Sequence, residues 1–562
     1  KLIYEAATDG KNKLRYMAGK DAKMWKIAMG EELKSLSDNG TWVETSLPKG
    51  RKAIGCKWVF KIKRDDSGNA IRYKARLVAK GYSQKEGIDY GEIFAPVAKY
   101  KTIRMLLGIA AKHNLTLGQL DVKTAFLNGI LQEEIYMELP PGYTAKAVGA
   151  VCKLVKSLYG LKQSPMEWNS VLDIFLIGIG FKPTAADACL YSRTNAKGLV
   201  LLAVYVDDIV IAASTKELEV EAKTQLMAKF EMTDLGELNW FLGMKITRDT
   251  KTGAIYLDQT QYILKTLEKF KMLDAKPAAT PMSEHPENSE STEKVDVPYR
   301  EAVGCLMYAM IGTRPDIAYA VSVASRYLEN PEMKHWVLVK RIFRYLKGTS
   351  NLSLMYQKGN LGLMGYSDAD WAGDHKDRKS TTGFCFTMAG AAVVWLSKKQ
   401  PCVSLSTTEA EYIALCAATQ EAIWLKSLAT SMGINISKVT IMEDNQGCIA
   451  LAKNTGNHGR TKHIDIKYHF IRDQVKAQNV ELVYCPTTEM TADILTKPLD
   501  RVKFERFRSQ LGLVAKNDSA SGSIEICAKS FLLLPSPSPS KLPSTLLPIN
   551  SEPMTKALVT TN

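Results

Sequence analysis

Two adjacent aspartates, Asp207 and Asp208, interrupt an apolar run from Leu201 to Ala212. The β-branched and aliphatic residues on both sides predict two strands joined at the aspartates, a hairpin with both carboxylates at its tip. A third acid, Asp121, in the segment Gln119 to Phe126, stands at the end of an apolar strand. It lies 86 residues before Asp207, enough chain for helices that bring the two strands side by side. Three carboxylates near one point repel each other strongly in a low-dielectric site. Divalent cations relieve that repulsion, and two Mg²⁺ ions so held can clamp the attacking and leaving oxygens of an in-line phosphoryl transfer. Taken alone, the Tyr-x-Asp-Asp tip is also what an exposed acidic turn looks like.

A second set of acids follows in the C-terminal third. Asp368 closes a strand-like segment from Leu361 to Ala369, and Asp444 follows another from Lys438 to Glu443. Glu409 and Glu411 open a helical run from about Ser406 to Met432. Ser406-Thr-Thr-Glu409 fits a capping box, which gives Glu409 a structural task. Glu411, two positions on, points about 200° around the helix and is expected to be the chemical one. Asp493, on a later helix, is a fourth candidate. Four carboxylates around two metals suit water-driven cleavage of a phosphodiester. Asp370 and Asp374 read as structural neighbours. His458, His463 and His469 cluster, but Cys448 and Cys485 lack ligand-pair spacing, so these histidines read as solvated or phosphate-contacting rather than as a zinc site. The loop from Tyr484 to Glu489 holds no histidine, so no proton shuttle is assigned there.

The elements that must position these residues follow from pattern. Residues 1–44 look helical, with Trp25, Ala28, Leu33 and Leu36 at helical spacing. Residues 52–80 read as two strands around a turn at Asp66-Ser67-Gly68-Asn69. Period two puts Arg72, Lys74, Arg76 and Lys80 on one face, suited to solvent or to phosphates. Residues 274–298, with four prolines among Ser, Glu and Asp, predict a linker. One helix begins near Pro315 and stops before Pro331; another runs from Glu332 to Gly348. Strands are then expected at 361–369, Thr382–Met388 and Val393–Leu396, with a turn at Ala389-Gly390. The tail, with its Pro535-Ser-Pro-Ser-Pro539 run, is expected to be disordered.

Composition sets the outer bounds. The chain has 562 residues, 46% hydrophobic and 24% charged, which excludes a fibre or a wholly disordered chain. A net charge of +15 favours polyanionic partners such as nucleic acid or an acidic membrane. Ten dispersed cysteines, with no Cys-x-x-Cys pair, suggest a reducing compartment without a disulfide framework. The apolar stretch Leu199–Val206 is too short to span a bilayer. The N-terminus lacks an initiator Met and a signal-peptide pattern, so the chain is expected to be cut from something longer.

The ordered motifs together resemble the reverse transcriptase of copia-type LTR retrotransposons. They include Lys57-Trp58-Val59-Phe60-Lys61, Tyr73 to Gly81, Gln119 to Phe126, Ser157 to Pro165, Tyr205-Val206-Asp207-Asp208 and Phe241 to Met244. Gly365 to Gly373, Ser406 to Tyr412, Asp444-Asn445-Gln446 and Thr461 to Asp465 resemble the ribonuclease H domain of the same elements. The resemblance spans roughly residues 15–510. It implies an α/β (α+β) right-hand polymerase followed by a ribonuclease H-like domain. Fingers and palm would fill 1–255, thumb and connection 256–355, the ribonuclease H-like domain 356–512, and a disordered tail 513–562.

It also assigns roles. Asp121, Asp207 and Asp208 would hold two Mg²⁺ or Mn²⁺ ions at one site; Asp368, Glu411, Asp444 and Asp493 would hold two at the other. Phe126 would be the steric gate against a ribose 2′-OH. Tyr159 and Gly160 would line the nucleotide and template pocket, Lys74 and Arg76 would approach the triphosphate, and Leu242-Gly243 would sit in the primer grip. The implied function is an RNA-directed DNA polymerase with ribonuclease H activity, acting on an RNA template, a DNA primer, dNTPs and the RNA–DNA hybrid. The rest of the polyprotein would be its partner and no membrane is implied. The setting would be intracellular: a cytoplasmic virus-like particle or the nucleus. The capsid, protease and integrase parts of such an element are not recognisable here. The competing expectation is a decayed or co-opted fragment that binds nucleic acid without catalysis.

Overall fold

A computed structural model describes residues 21–64, 70–145, 147–283, 296–359, 362–374, 376–453 and 465–516. The described residues all belong to the compact unit Lys1–Lys516. The turn Asp66–Asn69, His458, His463 and residues from 517 onward lie outside them, as does much of the 274–298 segment.

The first helix, Ala22–Asp38, is amphipathic and buries Trp25, Ala28, Met29 and Leu36. The chain then turns into strand Trp42–Ser46, so the helical expectation for 1–44 fails at its C-terminal end. Gly40 takes a positive φ there, and the polar Thr41 and aromatic Trp42 favour extended chain. Strands Cys56–Arg64 and Ala70–Ala79 form the expected antiparallel hairpin. Ala75, Leu77 and Ala79 face inward, which leaves Lys74 and Arg76 on the opposite face.

A six-stranded sheet forms the centre of the N-terminal half. Its order is Met232–Glu237, Thr116–Val122, Asp208–Ala213, Gly198–Tyr205, Leu190–Asn195 and Lys182–Pro183. Helices Ser164–Gly178 and Lys216–Lys229 connect these strands and cover the sheet through Trp168, Leu172, Leu176, Leu218, Ala222 and Leu226. A five-stranded sheet runs from Trp240–Phe241 through Met244–Arg248, Ile255–Asp258 and Leu352–Tyr356 to Leu513–Ala515. That last pairing places 513–515 in a folded strand, so the expectation of a disordered tail fails over these residues. The apolar Leu513 explains it: the residue is buried opposite Leu354.

Helices Tyr299–Gly312, Ala318–Ser325 and Met333–Gly348 follow the proline-rich segment. The Pro315 helix starts as a 3₁₀ turn, Pro315–Ile317, before Ala318. The part of the expected linker that is described is strapped down. Arg344 donates to the Lys276 carbonyl, Ala278 N–H donates to Arg344 O, and Arg341 donates to Thr280 Oγ1. Basic side chains on one helix thus satisfy backbone that composition alone marks as loose.

The C-terminal third is a mixed five-stranded sheet ordered Ala391–Lys399, Thr381–Met388, Met364–Ala369, Val439–Glu443 and Val480–Tyr484. The first three strands are antiparallel, and the last two run parallel to Met364–Ala369. Helix Thr407–Ser431 packs across it, burying Tyr412, Leu415, Ala418, Ala422 and Leu425. Two successive sheet-and-helix parts therefore make up a mixed α/β chain, as the expected fold class requires. Among the described residues no helix is long and apolar enough to cross a membrane.

Candidate active sites on two sheets

The first site sits where two central strands meet. Asp208 lies directly opposite Asp121 in the antiparallel register of Asp208–Ala213 with Thr116–Val122. Val206 and Asp207 form the two-residue turn between Tyr205 and Asp208. Val206 adopts φ +58°, a left-handed conformation costly for a β-branched residue. Two hydrogen bonds hold it: Trp168 Nε1–H donates to Val206 O at 2.7 Å, and Val122 N–H donates to Asp207 O at 2.8 Å. Burial, and then the charges of Asp207 and Asp121, push the Asp208 carboxyl up to about 6. The three acids feel one another as the sequence reading required.

Around them is a stacked aromatic and cationic wall. The Phe126 ring meets the Tyr159 ring edge-on, centroids 4.9 Å apart. The Arg76 guanidinium lies 4.8 Å over the same Tyr159 ring. Burial raises the Tyr159 phenol, and the field of Asp207 and Asp121 adds to this, which places the tyrosine within electrostatic reach of the acids. Gly160, at φ +93°, leaves no room for a side chain: a Cβ would sit 2.2 Å from Ala79 O. This close approach, with Ala79 N–H donating to Tyr159 O, docks the basic hairpin against the pocket. Lys74 lies on the same face of the hairpin as Arg76.

Leu242 and Gly243 form a tight turn between Trp240–Phe241 and Met244–Arg248, both at positive φ. Phe241 packs edge-on against Tyr205 of the Asp207 hairpin. The Tyr308 hydroxyl donates to Leu242 O, and a Cβ on Gly243 would strike that hydroxyl. Tyr308 was not legible in the sequence, because nothing local marks a helical tyrosine as the support of a distant turn.

The second site gathers Asp368, Glu411 and Asp444, whose ligand oxygens all lie within 4.8 Å of one another. They come from a strand end, a helix start and the residue after the neighbouring strand. Burial pushes Asp368 up to about 7; Glu411 is raised well above the usual carboxylate range by burial and by the charges of Asp368, Glu443 and Asp444. Glu411 Oε2 is buried and accepts no hydrogen bond among the described residues. A buried carboxylate oxygen without a hydrogen bond, on a residue of an all-oxygen cluster, fits a hard divalent cation. Glu409 instead caps: Ser406 Oγ accepts from Glu409 N–H, and the Glu409 carboxylate accepts from Leu405 N–H at 2.8 Å.

Asp493 is not brought into that cluster. It is fully buried on the 3₁₀ turn Thr491–Leu495, with Lys497 Nζ 2.8 Å from Oδ1 and Lys503 Nζ 2.5 Å from Oδ2. Two ammonium groups hold the oxygens that were expected to face a cation. Glu443, unnoticed in the sequence reading, is fully buried beside Asp444 and raised well above its ordinary range, first by burial. Alternation along Val439–Glu443 put it on the inward face, a signal that was available. Asp374 pairs with Arg326 and Lys399, and Asp370 accepts from Thr381 N–H, both structural as expected. His469 is exposed.

Residues 39–284 match the reverse transcriptase (RNA-dependent DNA polymerase) family. A retrovirus-related Pol polyprotein from transposon TNT 1-94 of Nicotiana tabacum is 47% identical over 497 residues, 86% of this chain and 37% of the relative. A putative transposon Ty5-1 protein of Saccharomyces cerevisiae is 36% identical over 308 residues, 54% of this chain and 100% of its own length. The chain belongs to the copia-type retrotransposon reverse transcriptases. It spans little more than a third of the tobacco polyprotein. A solved foamy viral protease-reverse transcriptase in complex with dsDNA aligns at 13% identity and a TM-score of 0.46, over 82% of this chain and 83% of that one.

Proposed function

We propose that the chain is an RNA-directed DNA polymerase that also cleaves the RNA of an RNA–DNA hybrid, with one site for each reaction. The observation that carries this reading is the pairing of two separate carboxylate clusters: Asp121 opposite Asp208 beside Asp207, and Asp368 with Glu411 and Asp444. Mg²⁺ or Mn²⁺ held at each cluster would neutralise phosphoryl oxygens and lower the pKa of the attacking hydroxyl or water.

The chain's own residues do the rest. Asp121, Asp207 and Asp208 would hold the cations of the synthetic site. The Phe126 ring, which packs edge-on against Tyr159, would occupy the space a ribose 2′-hydroxyl needs and so select deoxynucleotides. Arg76 and Lys74 bring positive charge to the triphosphate from the fingers hairpin. Leu242-Gly243 carries the primer end, supported by Tyr308. At the second site Asp368, Glu411 and Asp444 would hold the divalent cation that takes up the hybrid's scissile phosphate and the attacking water. Basic side chains on the hairpin face hold the duplex by its backbone, largely regardless of sequence.

The test is primer extension by the full chain on a labelled RNA template with dNTPs and Mg²⁺. Extension accompanied by shortening of the RNA supports the reading. A hybrid that is bound in a salt-dependent way, with primer and RNA unchanged, would favour the non-catalytic fragment instead.

A further inference from the structure

Two lysine ammonium groups flank the buried Asp493 carboxylate. Lys497 Nζ stands 2.8 Å from Asp493 Oδ1 and 3.9 Å from Asp368 Oδ2, so one ammonium bridges the fourth acid to the three-carboxylate cluster. Lys503 Nζ neutralises the other oxygen of Asp493. Thr496, next in sequence to Lys497, donates its hydroxyl to Asp368 Oδ2. Asp493 and Asp368 are both almost wholly buried, so the ammonium meets them where screening by water is weak. The three remaining acids still converge within 4.8 Å.

We propose that Lys497 is a built-in cation of the ribonuclease H-like site, filling the place between Asp368 and Asp493 that a second divalent ion would take. The free protein then binds one divalent ion tightly at this site, on Asp368, Glu411 and Asp444. Lys497 also stabilises the cation-free fold by separating two buried carboxylates that would otherwise repel. Asp493 acts through Lys497 as a positioning residue. The inference rests on the ribonuclease H-like reading of this sheet.

The test is Mn²⁺ titration by calorimetry, with melting in chelator, of the full chain and its Lys497→Met, Lys503→Met and Glu411→Gln variants. The synthetic site is common to all four, so differences report the second site. Losing one neighbouring positive charge should tighten Mn²⁺ binding to Lys497→Met about tenfold, the scale on which one charge shifts a carboxylate's affinity for a cation. Its ion count should rise by one, and its melting temperature in chelator should fall. Lys503→Met, which touches only the far side of Asp493, should change Mn²⁺ affinity much less. Equal affinity, ion count and melting in the wild type and Lys497→Met would overturn the proposal. If Lys497→Met folds only with Mn²⁺, the proposal stands. If it folds under neither condition, Lys497→Arg decides: wild-type Mn²⁺ binding supports a resident charge, and a raised ion count refutes it. Failure of the underlying reading looks different: Glu411→Gln would bind as many ions as the wild type, and as tightly.

Discussion

At the residue scale, each site is a problem of unfavourable charge. Asp370 shows the consequence away from the clusters. Burial pushes its carboxyl up to about 6, offset in part by the hydrogen bond from Thr381 N–H. The folded chain therefore holds this proton more tightly than the unfolded chain does. The linked stability is fully present below pH 4 and is lost as pH rises to about 6. Asp370→Asn removes that loss. Relative to the wild type, the variant should gain about 1–2 kcal/mol between pH 4 and pH 7, allowing for partial exposure. Urea titrations at the two pH values check this; a pH-independent difference would show that Asp370 ionises normally. Legibility at this scale was uneven. Asp121, Asp207, Asp208, Asp368, Glu411 and Asp444 were visible because each ends an apolar strand or opens a helix. Glu409 was separated from Glu411 by helical geometry alone. The commitment of Asp493 to Lys497 and Lys503 was not visible, since lysine partners four and ten residues on are ordinary in sequence.

At the element scale, close backbone approaches place the functional turns. Gly160 is the sharpest case, with its positive φ and a would-be Cβ 2.2 Å from Ala79 O. Gly160→Ala should cost about 1–3 kcal/mol of stability through forced displacement of the hairpin. It should also weaken nucleotide use, seen as a rise in KM for dNTP larger than the fall in kcat. A wild-type KM would mean that the hairpin does not serve the pocket. Strands and the long helix were legible because period-two and helical burial patterns were strong. The strapping of 276–280 onto Met333–Gly348 was not, because it depends on Arg341 and Arg344, far along the chain.

At the scale of the molecule, helix Tyr100–His113 joins the two halves through Arg104. Its buried guanidinium donates to the carbonyls of Val393, Ile311 and Gly312 and stacks 3.9 Å from Trp395. Lys101 pairs with Glu421 and lies over the Trp424 ring. Strand Leu513–Ala515 then closes the sheet shared with Leu352–Tyr356. Arg104→Met leaves three buried carbonyls without their donor and should cost about 3–5 kcal/mol. Both activities should fall at one melting temperature, measured by thermal inactivation. Ribonuclease activity outlasting synthesis by several degrees would show that the halves unfold separately. No local pattern marks Arg104, since an arginine within an apolar helix reads simply as an exception. The mixed α/β fold class, by contrast, followed from the strand and helix patterns along the chain.

Under the proposed function, two carboxylate clusters run two reactions independently. The most direct measurement follows primer extension and RNA cleavage on one gel for the wild type, Asp208→Asn and Glu411→Gln. Asp208→Asn should abolish extension, by at least about a thousandfold, and leave cleavage of a preformed hybrid near the wild-type rate; Glu411→Gln should do the reverse. Loss of both activities in either variant, with the fold and hybrid binding intact, would contradict two separate sites.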